Sequence, residues 1–256
     1  MRVLPLERGF TYGPVLSRRL GRSLGINILP IERKVCSFNC VYCHYGVTPG
    51  ATLTPAAEDF PGVGPVLKAV ELALRAYPEV ESLTFSGNGE PTLHPYFHEL
   101  VFGVRQLRDR LAPHAQVTLF SNATALHLPQ VQAALPWVDV PIMKLDAGDP
   151  ATFARINRPA RGVTFEAVFA HLQALPNCFL QSVLIDGPVT NARGDPLEAW
   201  IAAVAEIRPR QVQIYSTDYP VAEESVERVP PFQLRRIAEE VSRRTGLDVR
   251  PFWVNP

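Results

Sequence analysis

The chain carries no net charge and no long apolar run. Its 25 basic and 25 acidic residues balance, so no overall charge attracts it to nucleic acid or to an anionic membrane. No stretch approaches the roughly 20 apolar residues that cross a bilayer, and residues 1–5 lack the apolar core of a secretory signal. We therefore expect a soluble protein of the cytoplasm that does not associate with membranes.

Cysteine is scarce and unevenly distributed. Only 4 cysteines occur, and three of them lie in the run CSFNCVYC from Cys36 to Cys43. The remaining one, Cys178, lies far along the chain in an apolar run, where it is predicted to be a small buried side chain. Because the chain also has no secretory signal, the sequence argues against a disulfide framework.

The spacing of these cysteines, C-x3-C-x2-C, is typical of an iron–sulfur ligand set. Three thiolates on one loop hold three irons of a [4Fe–4S] cluster, and the fourth iron stays open because no fourth cysteine lies nearby. Zinc is the alternative, with His44 as a further ligand. Structural zinc sites usually place two short ligand pairs across a longer loop, and adjacent residues such as Cys43 and His44 are hard to aim at one tetrahedral centre. The motif therefore favours an iron–sulfur cluster.

Apolar, β-branched runs alternate with amphipathic patterns along the chain, which indicates βαβ units and a parallel sheet. The predicted strands are 24–29, 82–86, 116–121, 138–145, 179–185 and 211–215. The predicted helices are 63–76, 96–111, 128–135, 164–175, 196–207 and 231–245. Six such units suit an α/β fold of the open or partial (βα)6 barrel type. We expect a single domain with an N-terminal extension over 1–23, a barrel core over 24–216, and a C-terminal helix and tail over 217–256.

Polar motifs follow several of the predicted strands, where parallel α/β sheets place their active sites. The second strand leads into Ser86-Gly87-Asn88-Gly89-Glu90-Pro91. Its glycines would let the backbone approach a ligand, and its glutamate would accept hydrogen bonds from an ammonium group. A glycine-rich turn is about as often a simple strand-to-helix connection.

Other strand ends carry further candidates. Ser121 and Asn122, after the third strand, suit a ribose or a carboxylate, although they would serve equally well in a turn or a helix cap. Lys144 and Asp146 alternate along the fourth strand and are expected to share one side of it, where they contact a bound molecule or only each other. Arg158 offers a guanidinium to a carboxylate or phosphate, or else lies on a solvated loop.

His94 and His98 stand at the spacing of one helix face, which is also a pattern of metal ligands. His94 precedes Pro95 and is predicted instead to start a helix. We therefore do not assign a metal to this pair.

Taken together, the motifs resemble those of the radical S-adenosylmethionine (SAM) superfamily. The likeness rests on Cys36-x3-Cys40-x2-Cys43, Gly89-Glu90-Pro91, Ser121-Asn122 and Lys144-Leu145-Asp146. Residues 13–27, 86–95 and 156–159 are similar to the bacterial branch related to wyosine-type tRNA-modifying enzymes. The resemblance implies a partial barrel, a [4Fe–4S] cluster and SAM as cofactors, and a reductant such as flavodoxin or ferredoxin as partner.

The resemblance also implies roles for single residues. Cys36, Cys40 and Cys43 would be the cluster ligands. The SAM-binding residues would include Tyr42 against the adenine, Gly89 and Glu90 at the methionyl amino group, and Ser121 and Asn122 at the ribose or carboxylate. The others are Gly87, Asn88 and Pro91, and Tyr215, which contacts the adenine or only packs. Lys144, Asp146 and Arg158 would be the catalytic residues. The implied reaction is reductive cleavage of SAM to methionine and a 5′-deoxyadenosyl radical that abstracts hydrogen from a substrate.

The chain departs from the tRNA-modifying relatives in one respect. A second cluster needs three further cysteines, and only Cys178 remains. With no basic excess either, a small-molecule substrate is favoured over tRNA. Three alternatives stay open: a tRNA-modifying enzyme without the second cluster, an electron-transfer or redox-sensing protein that does not turn over SAM, and an RNA-binding module. The last requires that Arg18, Arg19, Arg22 and Arg158 form one exposed stripe.

Overall fold

The structure, a computed structural model, describes residues 3–254. Within that range the chain divides into two compact units. The first, here called the N-terminal unit, comprises residues 6–37 and 52–142. The second, the C-terminal unit, comprises residues 3–5, 38–51 and 143–254. The cysteine loop passes from one to the other, since Cys36 belongs to the N-terminal unit and Cys40 and Cys43 belong to the C-terminal unit.

The N-terminal unit is built on strands β1 to β4 and three helices. The strands are β1 (Thr11–Ser17), β2 (Gly21–Asn27), β3 (Ser82–Ser86) and β4 (Gln116–Ser121), and the helices are α1 (Val63–Ala76), α2 (Phe97–Leu111) and α3 (Pro129–Ala134). β1 pairs with β2 antiparallel, whereas β2 with β3 and β3 with β4 are parallel. The carboxyl ends of β2, β3 and β4 therefore lie at the same edge.

Apolar periodicity explains how these helices pack. Helix α1 buries Val66, Val70 and Leu74, which are spaced four residues apart and so lie on one face. Strand β3 is buried from Ser82 to Phe85, as is usual for a parallel strand with neighbours on both faces. Strand β5 (Val140–Lys144) begins in the N-terminal unit and ends in the C-terminal unit.

The C-terminal unit contains the remaining elements. Its strands are β6 (Phe179–Val183), β7 (Ile185–Asp186), β8 (Gln211–Tyr215), β9 (Glu227–Arg228) and β10 (Val249–Phe252), and its helices are α4 (Pro150–Ile156), α5 (Phe165–Gln173), α6 (Gly194–Ile207) and α7 (Pro231–Thr245). β6 and β10 each pair with β8 in parallel, while β7 and β9 form a separate antiparallel pair. Trp200 of α6 is fully buried and donates from Nε1 to Ser182 Oγ of β6 at 3.0 Å.

The structure confirms an α/β fold with a mostly parallel sheet of eight strands. The predicted bounds of β3, β4, β8, α1 and α7 match the observed ones. The prediction missed β1, β9, β10 and α4, and it merged β6 with β7 into one strand. β1 lies within the segment predicted as an extension; it is an edge strand with no buried residue, so it lacks the apolar run that marks a strand. No helix within residues 3–254 is long and apolar enough to span a bilayer.

Candidate active site

The residue before the first cysteine is held by the turn that follows β3. Val35 N donates to Asn88 O at 3.0 Å, and Glu90 N donates to Val35 O at 2.9 Å. These two backbone hydrogen bonds form a short parallel bridge between Val35 and Gly89. The turn therefore fixes where the chain enters the cysteine loop.

The two glycines of this turn are required by the protein's own packing. Gly89 has a φ of 143°, and a Cβ at this position would lie 1.8 Å from Val35 O. Gly87 has a φ of 113°, and its Cβ would lie 2.6 Å from Asn27 Oδ1. The sequence predicted that these glycines allow a ligand to approach the backbone. In the structure another segment of the chain makes such a close approach, and the predicted ligand contact stays a prediction.

Asn88 is likewise engaged within the protein. Its Nδ2 donates to Glu7 O and Pro30 O, each at 2.9 Å, and its Oδ1 accepts from Glu7 N at 2.8 Å. Both ends of its side-chain amide thus stabilise neighbouring loops. The predicted contact of Asn88 with SAM stays a prediction.

The carboxylate of Glu90 joins the ends of β3 and β4. Its Oε1 accepts from Thr92 N, Thr92 Oγ1 and Ser121 Oγ at 3.1, 2.6 and 2.8 Å. Its Oε2 accepts from Asn122 N at 2.6 Å. Burial raises the pKa of Glu90, and these hydrogen bonds oppose that shift. The next residue, Pro91, starts a buried 3-10 turn, Pro91–Leu93.

Asn122 connects this network to the first cysteine. Its Nδ2 donates to Ser37 Oγ at 2.8 Å and lies 3.8 Å from Cys36 Sγ. Its Oδ1 accepts from the backbone and the hydroxyl of Thr124 at 3.1 and 2.8 Å. The Thr124 bonds fix the orientation of the Asn122 amide, because they require its oxygen to face Thr124. Its NH2 group therefore faces Ser37 and the sulfur of Cys36.

In the C-terminal unit, the segment after α4 holds the rest of the cysteine loop. Val41 N donates to Ile156 O at 3.0 Å, and Asn39 N donates to Asn157 O at 3.0 Å. Phe38 also forms an antiparallel bridge with Pro159. These contacts fix the backbone on both sides of Cys40.

Asp146 is the most heavily bonded carboxylate of this unit. Its Oδ1 accepts from Val183 N at 2.8 Å and pairs with Lys144 Nζ at 3.2 Å. Its Oδ2 accepts from Tyr42 Oη and, at 2.8 Å, from Asn157 Nδ2. The expected pairing of Lys144 with Asp146 is therefore present, and it is one part of a larger buried network.

Lys144 lies between two aromatic rings. Its Nζ is 4.9 Å from the centroid of the Tyr42 ring and 5.4 Å from that of Tyr215. Burial by itself lowers the pKa of Lys144, but Asp146 and the surrounding groups outweigh it, and the pKa is raised overall. The ammonium therefore stays charged and is held by one carboxylate and two π faces. Whether Tyr42 or Tyr215 also contacts an adenine stays a prediction.

Cys40 has an amide donor beside its sulfur, as Cys36 does. Asn157 Nδ2 lies 3.5 Å from Cys40 Sγ. Burial, together with the nearby Asp146, raises the pKa of Cys40 to about 11. A metal ligand must be a thiolate, so binding a metal here releases a proton.

Arg158 lies apart from the buried network. Its Nη1 pairs with Glu223 Oε1 at 2.5 Å, and its side chain is 43% exposed. Its φ of 44° places the residue in the left-handed region. The structure thus gives Arg158 the position of a loop residue with a surface ion pair. Its predicted catalytic role stays a prediction.

His94 is held by two hydrogen bonds. Its Nε2 lies 3.1 Å from Pro61 O, and its Nδ1 accepts from Tyr96 N at 3.1 Å, one residue before α2 begins. Burial lowers its pKa to about 4. No group of three or more His, Cys, Asp or Glu side chains in residues 3–254 is placed to hold a single metal ion.

Two residues of these networks escaped the sequence analysis. Asn157 contacts both Asp146 and Cys40, and Thr92 supplies two of the four hydrogen bonds to Glu90. Asn157 stands next to Arg158, and only the arginine was predicted to contact a ligand. The run Glu90-x-Thr92 is typical of a carboxylate that caps the turn after it, a signal that was present in the sequence.

A comparison with known families decides the class of this protein. A sequence model of the Radical SAM superfamily matches residues 34–190, which include all three clustered cysteines. The chain belongs to the Radical SAM superfamily. The sequence resemblance to this superfamily is thereby confirmed.

Curated relatives give the closer context. Over 205 residues the chain is 35% identical to UPF0026 protein slr1464 of Synechocystis sp., covering 79% of this chain and 73% of that protein. This relative groups the chain with the UPF0026 proteins. Over 208 residues the present chain is 31% identical to a protein named GTPase Obg of Brachyspira hyodysenteriae, and the match covers 79% of this chain and 29% of that protein. The chain thus spans less than a third of that relative.

Solved structures confirm the fold. Streptococcus suis SuiB bound to S-adenosylmethionine superposes with a TM-score of 0.63 at 15% identity, over 90% of this chain and 51% of that one. TYW1 with a lysine–pyruvate adduct bound superposes with a TM-score of 0.61 at 15% identity, and the match covers 88% of this chain and 74% of that one. The predicted partial barrel of the radical SAM type is therefore confirmed.

Proposed function

We propose that this chain holds a [4Fe–4S] cluster through Cys36, Cys40 and Cys43 and uses it with SAM to act on a small-molecule substrate. The observation that carries the proposal is the C-x3-C-x2-C run inside the matched region 34–190. Three thiolates leave one iron of the cluster open for the amino and carboxylate groups of SAM. When bound, the cluster would supply one electron to the sulfonium of SAM, which would break its C–S bond to give methionine and a 5′-deoxyadenosyl radical able to take hydrogen from the substrate.

The donor set fits such a cluster. None of the three thiols is in a disulfide. Asn122 and Asn157 each direct an amide N–H toward one of the sulfurs, Cys36 and Cys40 respectively. Hydrogen bonds of this kind orient metal ligands and stabilise the negative charge that a reduced cluster gains.

The network around Glu90 would bind and orient SAM. Its Oε2 accepts one hydrogen bond, from Asn122 N, and a carboxylate oxygen accepts two. The remaining capacity suits the ammonium group of the methionyl part. Thr92 and Ser121 hold the carboxylate in place through Oε1, so little conformational freedom is lost on binding. Ser121 and Asn122 would face the ribose or the carboxylate.

The network around Asp146 would position the substrate. Lys144 keeps its charge, because Asp146 and the two tyrosine rings stabilise the ammonium. A fixed cation of this kind orients an acceptor atom and does not remove a proton at neutral pH. We assign Lys144 and Asp146 to substrate contact, and we keep Arg158 as a residue at the edge of the site that would contact an anionic part of the substrate.

The balanced charge favours a small molecule over tRNA as substrate, and a low-potential electron carrier such as flavodoxin or ferredoxin would supply the electron. We place the enzyme in the cytoplasm, where such carriers work and where thiols stay reduced.

The test is SAM cleavage by the full chain, reconstituted anaerobically with iron and sulfide and reduced with dithionite. The wild type is compared with Cys40→Ala and with Cys178→Ala, a matched change at a buried cysteine outside the motif. We expect 5′-deoxyadenosine and methionine from the wild type and from Cys178→Ala, and none from Cys40→Ala. A Cys40→Ala variant with full iron content and full cleavage would refute the ligand assignment. A wild-type cluster that does not cleave SAM would favour electron transfer.

A further inference from the structure

Two buried glutamines face one another on neighbouring parallel strands of the C-terminal unit. Gln181 of β6 pairs in register with Gln213 of β8. Both residues are buried, and each is only 4% exposed. Strands of a parallel sheet are buried on both faces and usually carry aliphatic residues at such positions. Two amides at one level of the sheet therefore call for an explanation.

The two glutamines lie on the face of the strands that is turned away from helix α6. Ser182, the next residue on β6, contacts Trp200 of α6 through its hydroxyl. Successive side chains of a strand point to opposite faces, so Gln181 points away from α6, and Gln213 shares its face by register. One level further toward the carboxyl end, Tyr215 occupies the same face, and Lys144 lies against its ring.

A chain of hydrogen bonds fixes which end of the Gln213 amide is unused. The carboxylate of Asp248 only accepts, and Arg250 keeps its pKa low. Gln211 Nε2 donates to Asp248 Oδ2 at 2.8 Å, so Gln211 Oε1 is left to accept from Gln213 Nε2 at 3.3 Å. Gln213 Oε1 consequently remains, and it has no hydrogen-bond partner among the described residues.

Gln181 is oriented in the opposite sense. Its Oε1 accepts from Tyr215 Oη at 3.3 Å. Its Nε2 has no hydrogen-bond partner within residues 3–254. The two in-register residues therefore present one unpartnered donor, Gln181 Nε2, and one unpartnered acceptor, Gln213 Oε1. Buried polar atoms without partners are rare in folded proteins because they lose hydration without compensation.

A neutral amide matches this pair of atoms. Its carbonyl oxygen accepts from a donor such as Gln181 Nε2, and the adjacent N–H donates to an acceptor such as Gln213 Oε1. Two charged side chains of the described residues lie near this face, and both are already paired: Lys144 with Asp146 at the next level, and Arg250, which stands in register with Gln213 on β10, with Asp248. A charged ligand group would therefore gain nothing from the glutamines that a neutral amide does not gain.

We propose that Gln181 and Gln213 form a binding subsite for a neutral amide edge, an N–H group next to a C=O group, on the substrate of this enzyme. The inference rests on the proposed function only in assigning the bound group to the substrate. The same edge occurs in lactam rings of the nucleobase type and in alkyl amides, and the experiment below distinguishes these two sources.

The first measurement uses two pairs of probes with the full, cluster-reconstituted chain. 2-Pyridone is compared with 1-methyl-2-pyridone, and δ-valerolactam with its N-methyl derivative, by ligand-observed NMR titration. In each pair a methyl group replaces only the N–H. We expect at least one N–H compound to bind about tenfold more tightly than its N-methyl partner, since the methyl leaves Gln213 Oε1 without its donor. Discrimination in the pyridone pair alone indicates an aromatic lactam, and discrimination in both pairs indicates amides in general.

The second measurement removes the amides from the protein. The double variant Gln181→Met/Gln213→Met keeps the side-chain length and takes away both unpaired atoms. We expect it to remain folded and to bind 2-pyridone no more tightly than 1-methyl-2-pyridone. Gln173→Met, the same change on the exposed face of α5, is expected to bind as the wild type does. If the double variant does not fold, the discrimination by the wild type decides the question.

The outcomes separate the two proposals. Equal binding of N–H and N-methyl probes by a wild-type preparation that cleaves SAM would overturn the subsite and leave the proposed function standing. Clear discrimination by a preparation that does not cleave SAM would refute the proposed function and leave the subsite. A double variant that still discriminates would also overturn the subsite.

Discussion

Asn157 Nδ2 lies 3.5 Å from the sulfur of Cys40. The same nitrogen donates to Asp146 Oδ2 at 2.8 Å. One side chain therefore links a predicted cluster ligand to the carboxylate that holds Lys144. The two networks of the C-terminal unit, one around the cysteine and one around the lysine, are coupled through this amide.

A change at Asn157 is expected to alter the redox potential of the cluster. Asn157→Leu removes an N–H directed at sulfur, and this N–H stabilises the more negative, reduced state. If the bond contributes about 1 kcal/mol, its loss lowers the reduction potential of the variant by about 40 mV relative to the wild type, for a one-electron couple. An anaerobic redox titration followed by EPR measures the shift. An unchanged potential at full iron content would show that Asn157 does not act on the cluster.

Replacing Gly89 is expected to disturb both folding and iron binding. In Gly89→Ala the new Cβ would lie 1.8 Å from Val35 O, and the bridge that positions Cys36 must open. We expect a loss of about 3 kcal/mol or more in the free energy of unfolding, together with lower iron content after reconstitution. Urea denaturation and iron analysis measure the two effects.

Gly162→Ala is the matched control for that change. Gly162 also has a positive φ, of 86°, but no atom lies within 4 Å of its added Cβ. Only the backbone strain remains, about 1 kcal/mol, and iron content should not change. Equal effects of the two substitutions would show that the contact with Val35 is unimportant.

The Glu90 network is expected to require a carboxylate. Glu90→Gln replaces one acceptor oxygen by an NH2 group, which then faces the donors Asn122 N or Ser121 Oγ. A buried donor left without an acceptor costs about 1–3 kcal/mol, so the free energy of unfolding in urea should fall by about 2 kcal/mol. Glu79→Gln, at an exposed ion pair with Arg22, should change it by less than about 0.5 kcal/mol. Similar values for the two variants would contradict the buried network.

His94 is expected to make the protein less stable in mild acid. Burial lowers its folded-state pKa to about 4, whereas in the unfolded chain the imidazole takes up its proton near the ordinary histidine pKa of 6.5. Between these values the unfolded state binds more protons, so stability falls as the pH falls, by about 1.4 kcal/mol per pH unit. From pH 6.5 to pH 5 the loss is about 2 kcal/mol.

His94→Asn should remove most of that pH dependence, because asparagine can accept from Tyr96 N and does not titrate. His114→Asn, at an exposed histidine, serves as the control and should keep the wild-type slope. Urea denaturation of the cluster-free protein between pH 7 and pH 5 measures the three slopes. A wild-type slope that survives in His94→Asn would assign the effect to other groups.

Strong local signals made much of the fold predictable. Helix α1 repeats its buried valines and leucine every four residues, and β3 is a short apolar run between turns. Strand β10 and helix α4 were missed because they are short, with 4 and 7 residues, and a pattern of that length gives no clear period. Asp149 caps α4 by accepting from Thr152 N, and Asp149-Pro150 was a usable start signal.

The part of the candidate site that could be predicted consists of residues whose type and spacing are themselves characteristic of a chemical role. The three cysteines and Glu90 stand out by type and spacing. Asn157 acts through Cys40 and Asp146, which no sequence spacing places beside it. Thr92, by contrast, stands two residues after Glu90, in a run typical of a carboxylate that caps the following turn. The close approach of Val35 to Gly89 and of Asn27 to Gly87 could not be predicted, because these neighbours are more than 50 residues away in sequence.

The central claim is that the cluster of this enzyme keeps one iron open for SAM. The most direct measurement is the EPR spectrum of the reduced, reconstituted protein before and after SAM is added. The account predicts a [4Fe–4S] signal that shifts with SAM and is absent from Cys40→Ala but present in Cys178→Ala. A signal that SAM leaves unchanged, or a protein that binds zinc and forms no cluster, would contradict it.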